Sequence, residues 1–315
     1  MIRGMSFDFD AVVAPFRMQP GLRRLAAGAA QLTPTCVGDR ALQEKLGVLS
    51  DHAAQALLLA PGFDPVPALV ALCEQAAAEH PTAFSWNGEQ AGALHLGWAV
   101  QGESLLPLAG EHAAIGACLA ALPAPWRLAG LLALAFAEDF AVMDAASGSI
   151  PWLAVCLPSH WSPEEKIGRG FAEIHAPVAD NSVLIAAGAH LMRLVTAPDR
   201  WERFVWTVTP HALLDGHPRR NARAHWPDGA TPAEIARLAF WRTERQTFIP
   251  MPERRQAVFT IHVEVEPLTV AIDTTARAAR LRDALASMSQ SVLAYRGLST
   301  ARERLVVWLG ELAGA

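Results

Sequence analysis

The chain has 315 residues, of which 52% are hydrophobic and 18% are charged, so it has ample material for a large core. The formal net charge of −5 argues against a nucleic-acid partner, which would need a basic stripe. The longest apolar run, residues 128–137, is too short for a membrane span, and the four scattered cysteines predict a reduced, cytoplasmic protein without an iron–sulfur or zinc site of its own.

The first 137 residues are typical of a helical layer. Segments rich in alanine and leucine, separated by prolines, predict helices at 39–60, 65–79, 110–122 and 125–137. No pattern of polar residues in this part indicates chemistry. We therefore interpret residues 1–137 as an N-terminal helical region packed on the core.

The middle of the chain changes to alternating side chains, a pattern that indicates strands. Five strands are predicted, at 138–144, 150–157, 203–209, 241–249 and 257–266. Two helices, at 163–176 and from about 181 to 195, are expected between the second strand and the third. This order predicts an α+β fold in which a PAS-like five-stranded antiparallel sheet, spanning residues 138–268, carries helices across one face.

Two further regions complete the domain plan. The polar stretch at about 210–238 is too long for a hairpin loop and is predicted to be a surface insertion in the core. Residues 269–315 are expected to form C-terminal helices, at 273–294 and 299–313, with a break at the Tyr295-Arg296-Gly297 tripeptide.

The helix predicted at 163–176 carries the strongest signal for a site. Ser162 suits an N-cap with Glu165 completing a capping box, and Pro177 stops the helix. His175 lies near its end on an apolar face, beside glycines that let a partner approach the backbone. This arrangement suits a histidine that holds a large flat ligand by its metal. The alternative is a core histidine without a ligand.

The other histidines are weaker candidates. His160 precedes the helix and is the rival metal ligand, although it also suits hydrogen bonding at the helix entry. His190 is expected on a helix in the core or at the surface, and His262 on the solvated face of its strand. His211, His217 and His225 could form a metal cluster, but loop histidines without a carboxylate at fixed spacing are usually exposed.

A charged group on the fourth predicted strand is the second candidate. Arg242, Glu244 and Arg245 would be costly to bury without partners. They would line a ligand pocket if their face lies opposite His175, or form a surface ladder of ion pairs if it does not. Strand alternation sends Glu244 and Arg245 to opposite faces unless the strand bulges.

Several motifs in order along the chain carry a resemblance to a known family. They are Phe16-Arg17-Met18-Gln19-Pro20-Gly21-Leu22, Glu138-Asp139-Phe140, Pro158-Ser159-His160-Trp161 with Lys166 and Gly168, Ile174-His175-Ala176-Pro177-Val178, Glu244-Arg245-Gln246-Thr247, Phe259-Thr260-Ile261 and Tyr295-Arg296-Gly297-Leu298. By these motifs the sequence resembles the alpha subunits of the haem-dependent oxidative N-demethylases. It departs from the family's Arg-x-Asn-Trp motif, since Val205 replaces the asparagine in Arg203-Phe204-Val205-Trp206.

The resemblance implies a haem b in a PAS fold and the oxygen-dependent removal of a methyl group from a small secondary amine, with release of formaldehyde. It implies that FMN and a 2Fe-2S centre reside on partner reductase subunits. His175, or His160 as its rival, would hold the iron, with Gly168 in the cofactor-binding segment and Lys166 and Arg169 beside the haem propionates. Arg242, Glu244 and Arg245 would act on oxygen and amine. A haem-based gas or redox sensor and a haem-free scaffold are the alternatives.

Overall fold

The computed structural model describes residues 7–222 and 224–314. The described residues form eleven helices: α1 (Arg40–Ala56), α2 (Val66–Glu79), α3 (Ala113–Ala121), α4 (Arg127–Ala135), α5 (Phe171–His175), α6 (Ser182–Val195), α7 (Pro232–Leu238), α8 (Leu268–Ala271), α9 (Thr275–Ala286), α10 (Gln290–Arg296) and α11 (Arg302–Ala313). They also form eleven strands: β1 (Arg23–Arg24), β2 (Leu57–Leu59), β3 (Phe84–Trp86), β4 (Gln90–Ala93), β5 (Trp98–Gln101), β6 (Ser104–Pro107), β7 (Asp139–Asp144), β8 (Ser149–Ala154), β9 (Trp201–Thr209), β10 (Phe240–Met251) and β11 (Gln256–Pro267).

The larger sheet has seven strands in the order β1-β9-β10-β11-β7-β8-β2, and every neighbouring pair is antiparallel. The α+β class and all five predicted strands are confirmed. The sheet nevertheless has two more strands than predicted, because β1 and β2 from the N-terminal region pair with its two outer predicted strands.

The N-terminal region is not helical throughout. Its four predicted helices are confirmed as α1 to α4, but a four-stranded antiparallel sheet, β3 to β6, lies between α2 and α3. Its strands have only three or four residues, which is too short for a clear alternation, and β4 consists of Gln-Ala-Gly-Ala, residues that rarely favour strands. Gly88 and Gly102 make two of its turns at φ +96° and +55°.

The prediction of a single helix at 163–176 is wrong. Residues Pro163–Glu165 form one turn of 3₁₀-helix, and α5 begins only at Phe171. Gly168, at φ +70°, breaks the helix, and Gly170 is extended and forms an isolated bridge with Ser149. The predicted stop before Pro177 is confirmed, since α5 ends at His175.

The C-terminal region has more breaks than predicted. The helix predicted at 273–294 is divided into α9 and α10, because the Ser289 hydroxyl accepts a hydrogen bond from the Val292 amide and starts a new helix. The predicted break at 295–297 is confirmed, with Gly297 at φ +68° in the left-handed cap of α10.

The segment predicted as a surface insertion, 210–238, is partly buried. Leu214 and Asp215 are only 5% and 6% exposed, and Gly216 and His217 are buried as well. Arg220 forms an ion pair with Asp215, and His217 Nε2 lies 3.0 Å from Glu164 Oε2. The His217 contact, together with a hydrogen bond from Arg220 to the Cys156 carbonyl, binds the segment to the turn that follows β8, so the prediction of a surface position fails for this part.

The two faces of the larger sheet have different covers. Directly paired residues of neighbouring strands share a face, so Glu244 lies with Val205 and Val263, while Arg245 lies with Phe204 and His262 on the other side. The Glu244 side also carries Phe248, which packs on α6, and we call it the α6 face. The Arg245 side packs on the N-terminal region and on the C-terminal helices.

Candidate functional site

His175 is the last residue of α5, and its imidazole is held in one tautomer. Its Nδ1 lies 2.7 Å from the carbonyl oxygen of Phe171, and because a carbonyl only accepts, Nδ1 carries the proton. The lone pair is therefore on Nε2, the usual form of a histidine that binds a metal. The imidazole ring also packs on the Phe171 ring, with centroids 4.1 Å apart.

The surroundings of His175 keep the imidazole neutral. Burial lowers its pKa, and the positive charges of Arg203 and Lys166 lower it further, against the opposing effect of the Phe171 carbonyl. A neutral imidazole is the form that coordinates iron. The local structure thus gives His175 the tautomer and the charge that a haem ligand requires.

The α6 face beyond His175 carries Arg203, Glu244 and Gln246. Gln246 stands directly across the strand ladder from Arg203, and its side-chain amide donates to Glu244 Oε2. Burial lowers the pKa of Arg203, and the nearby negative charge of Glu244 opposes that shift. Val205 pairs with Glu244, so the valine that departs from the family motif lies on this same face.

Glu244 is a single carboxylate among several guanidinium groups. Burial lowers the pKa of Arg242, and it lowers that of Arg296 to about 10; in both cases the negative charge of Glu244 partly opposes the shift. No ion pair joins Glu244 to a cation within 4.0 Å in residues 7–222 and 224–314. The α6 face is therefore electropositive, which suits an anionic cofactor.

A comparison with known protein families found a match. The family model described as haem-dependent oxidative N-demethylase, alpha subunit-like, matches residues 40–306. The chain belongs to this family. The match spans the whole of the larger sheet except β1 and includes α5 and α6, and thus every residue of the site described above. The description as alpha subunit-like implies other subunits.

His160, the second candidate from the sequence, lies in the turn between β8 and the 3₁₀ segment. It is exposed and has a left-handed backbone at φ +63°. Its ring meets that of His211 edge-on, with centroids 4.9 Å apart. Burial and the charge of Arg242 lower the pKa of His211, so this second histidine is also neutral. The pair is separate from His175 along the chain and remains the alternative metal ligand.

Arg242 lies on the α6 face, but its guanidinium is used within the protein. It donates to the Ser159 hydroxyl at 2.8 Å and to the carbonyls of Leu213 and Leu214 at 3.0 and 2.9 Å. The side chain has 1% of its surface exposed. Arg242 thus joins the turn after β8 to the 210–238 segment.

Arg245 lies on the opposite face from Glu244, as strand alternation predicts. Its Nε is 2.9 Å from Glu202 Oε2, and one Nη donates to the Ala30 carbonyl. The structure therefore does not bring the three charged residues of this strand to one point. Among the described residues, Arg245 forms an ion pair with Glu202, whereas Arg242 donates only to uncharged groups and Glu244 accepts only from Gln246.

The remaining predicted cofactor residues lie in the broken segment before α5. Lys166 Nζ donates to the Ile174 carbonyl at 2.9 Å, and burial lowers its pKa. Arg169 is exposed, and Gly168 takes the positive φ that interrupts the helix.

Two predictions for other histidines are wrong. His262 is 8% exposed rather than solvated, because Thr33 of the N-terminal region and Glu138, the residue before β7, both lie against its ring, at 3.3 and 3.1 Å from Nδ1. His217 is buried rather than exposed. The described residues contain no group of three or more histidine, cysteine or acidic side chains that could hold a metal ion.

Sequence reasoning missed Arg203 and Arg296 as members of the site. Arg203 was visible as an isolated cation in the aromatic strand Phe204-Val205-Trp206, and Arg296 as a motif residue at the end of a helix. Neither pattern reveals that the two residues flank Glu244, since that depends on how α10 packs beside β9. In the part of the chain that is described, no helix has the length and apolarity needed to cross a membrane.

Proposed function

We propose that this chain is the haem-bearing subunit of an enzyme that oxidatively removes a methyl group from a small secondary amine. The observation that carries the proposal is the tethered, neutral imidazole of His175 on the electropositive α6 face. Bound haem b would supply the activation of dioxygen and the oxidation of the N-methyl carbon, which leaves as formaldehyde. The order β9-β10-β11-β7-β8, with α5 and α6 between β8 and β9, supports a PAS-type core.

In this proposal His175 holds the iron through Nε2, while the Phe171 carbonyl fixes the ring. Glu244 binds the protonated amine, because it is a half-buried carboxylate without an ion-pair partner among the described residues. Gln246 donates to Glu244 Oε2 and so orients that carboxylate. Arg242 and Arg245 position the turns and strands around the site.

The electrons are proposed to come from partner reductase subunits that carry FMN and a 2Fe-2S centre. The four cysteines of this chain are free, and three of them are buried. Reduced, unpaired cysteines also support a cytoplasmic location.

The iron ligand is tested by absorption spectra of protein produced with a haem precursor. The wild type is expected to show a Soret band. His175→Ala should abolish or shift it, while His160→Ala should leave it unchanged. The reverse result moves the assignment to His160, and a wild type without any Soret band after haem addition contradicts haem binding.

The amine site is tested by titrating the haem protein with dimethylamine. Saturable spectral change and formaldehyde release on reduction in air are expected. Glu244→Gln should weaken the spectral response roughly ten- to hundredfold, the range for losing a hydrogen bond to a charged group. The matched control is Glu264→Gln, which removes a carboxylate on the other face. If carbon monoxide binds but amines change nothing, the sensor function is favoured instead.

A further inference from the structure

Arg203 is the least satisfied cation of the site. In the described part of the chain its guanidinium makes no hydrogen bond and no ion pair, and its Nε is buried without a partner. The buried arginines of this sheet are well partnered: Arg242 by backbone carbonyls and Arg245 by Glu202. Arg203 is half-buried, and because it is costly to withdraw a charge from water without giving it a partner, an unsatisfied guanidinium on a ligand-binding face indicates a missing anion.

The neighbours of Arg203 do not supply that anion. Glu244 is the carboxylate that acts on Arg203 electrostatically, but no ion pair within 4.0 Å joins them, and Glu244 already accepts from Gln246. Arg296 adds a second positive charge nearby. Its guanidinium donates to the Trp206 carbonyl and stacks over the rings of Phe16 and Trp206, so it is held in place by contacts that do not neutralise it. Two guanidinium groups thus face one carboxylate.

Arg203 lies on the same side of the sheet as the proposed iron ligand. Arg203 belongs to the α6 face, and its charge acts on the imidazole of His175. An anionic group bound by Arg203 would therefore belong to the same ligand that His175 holds. The guanidinium fork matches a carboxylate with two parallel hydrogen bonds, which a lysine cannot do.

We propose that Arg203 is the residue that binds a propionate carboxylate of the haem. This inference rests on the proposed function. It differs from the sequence expectation for Lys166 and Arg169, because the Lys166 ammonium is used by the Ile174 carbonyl and Arg169 is exposed. The site has two features that a propionate needs: guanidinium N–H groups without a partner among the described residues, and more positive than negative charge.

The test compares haemin with haemin dimethyl ester, whose propionates carry no charge, in titrations of the full-length apoprotein. Wild type should bind haemin at least about tenfold more tightly than the ester. Arg203→Met and Arg203→Gln should weaken haemin binding roughly ten- to hundredfold and leave ester binding unchanged, and Arg203→Lys should fall between. Arg169→Met is the matched control and should bind both as wild type does.

A second measurement separates ligand binding from a structural role. Because Arg203 is a half-buried charge without a partner among the described residues, Arg203→Met should raise the thermal unfolding midpoint of the apoprotein, whereas removing a structural arginine would lower it. The inference is overturned if haemin and ester affinities fall by the same factor, or if the midpoint falls while haemin affinity stays at the wild-type value. If wild type binds neither haemin nor the ester, the proposed function itself is wrong. If wild type binds both equally well, the proposed function stands and only the proposed role of Arg203 is wrong.

Discussion

Nδ1 of His262 lies 3.1 Å from Oε1 of Glu138, and the two side chains are 8% and 1% exposed. The contact joins β11 to the residue that precedes β7, beneath the N-terminal region. The Glu138 carboxylate also accepts from the Thr33 amide, so one acidic side chain links three parts of the chain.

The pair predicts how stability depends on pH. Burial would lower the pKa of His262, but the charges of Glu138 and Glu264 raise it above its ordinary value of 6.5. Burial would raise the pKa of Glu138, but His262 and Thr33 lower it. The His262 contribution is thus complete below about pH 6.5 and is lost as pH rises through the raised pKa. The Glu138 contribution is present above its ordinary pKa and is lost as pH falls through the lowered one.

The free energy of unfolding from urea titrations should therefore fall from pH 6 to pH 9, by about 1.4 kcal/mol for each unit by which the pKa of His262 is raised. His262→Gln should be less stable at pH 6 and should lose most of this slope. His190→Gln removes an exposed histidine and should keep the wild-type slope. A wild-type slope in His262→Gln would show that another group titrates.

The burial of this pair also shows what the sequence could predict. Alternation located β10 and β11 correctly, and it placed Glu244 and Arg245 on opposite faces, as the structure has them. It did not reveal that the N-terminal region covers the face of Arg245 and His262, because the covering residues are more than 200 positions away in sequence, as the contact of Thr33 with His262 illustrates. The polar face of β11 was therefore interpreted as solvated, although its polar side chains are buried against other polar residues.

Only part of the site could be predicted from the sequence, because some of its features depend on packing between distant segments. Local signals located His175 before a helix stop and Glu244 on a strand, and these signals depend only on nearby residues. The Gly168 break was misread because two glycines were treated as tolerated within a helix, whereas one of them adopts φ +70°. The unsatisfied state of Arg203 is a property of the packed sheet and has no sequence signature.

Arg242 is predicted to stabilise the fold rather than to act on a substrate. Arg242→Met removes a buried guanidinium that donates to three acceptors, of which the Leu214 carbonyl is buried, and should lower the free energy of unfolding by about 2–4 kcal/mol. Arg169→Met, at an exposed position, should change it by less than about 0.5 kcal/mol. Wild-type stability in Arg242→Met, together with a lost amine response, would instead indicate a role in the reaction.

Reduction of the haem is predicted to need a partner. Among the described residues no group of three or more potential metal ligands occurs, and the sequence contains no Gly-x-Gly-x-x-Gly turn for a dinucleotide. The purified haem protein should stay ferric for many minutes in anaerobic NADPH, as judged by its visible spectrum. It should become ferrous when a reductase with flavin and iron–sulfur centres is added. Prompt reduction by NADPH alone would contradict the division of cofactors between subunits.

Gly188 is predicted to control the position of His175 without touching a ligand. A Cβ at Gly188 in α6 would lie 2.6 Å from Cδ1 of Phe171, so the Phe171 ring would have to move. That ring stacks on His175, and the Phe171 carbonyl holds His175 Nδ1. Displacing Phe171 would therefore tilt the imidazole.

Gly188→Ala should accordingly shift the Soret band or weaken haem binding several-fold, and cost about 1–3 kcal/mol of stability through overpacking. Gly47→Ala is the matched control: it also lies within a helix, α1, and an added Cβ there meets no atom within 4 Å. It should leave the spectrum unchanged and stabilise the protein by up to about 1 kcal/mol, because alanine favours a helix more than glycine does. If Gly188→Ala loses stability but keeps a wild-type Soret band and haem affinity, Phe171 does not position the iron ligand, and the case for His175 over His160 weakens.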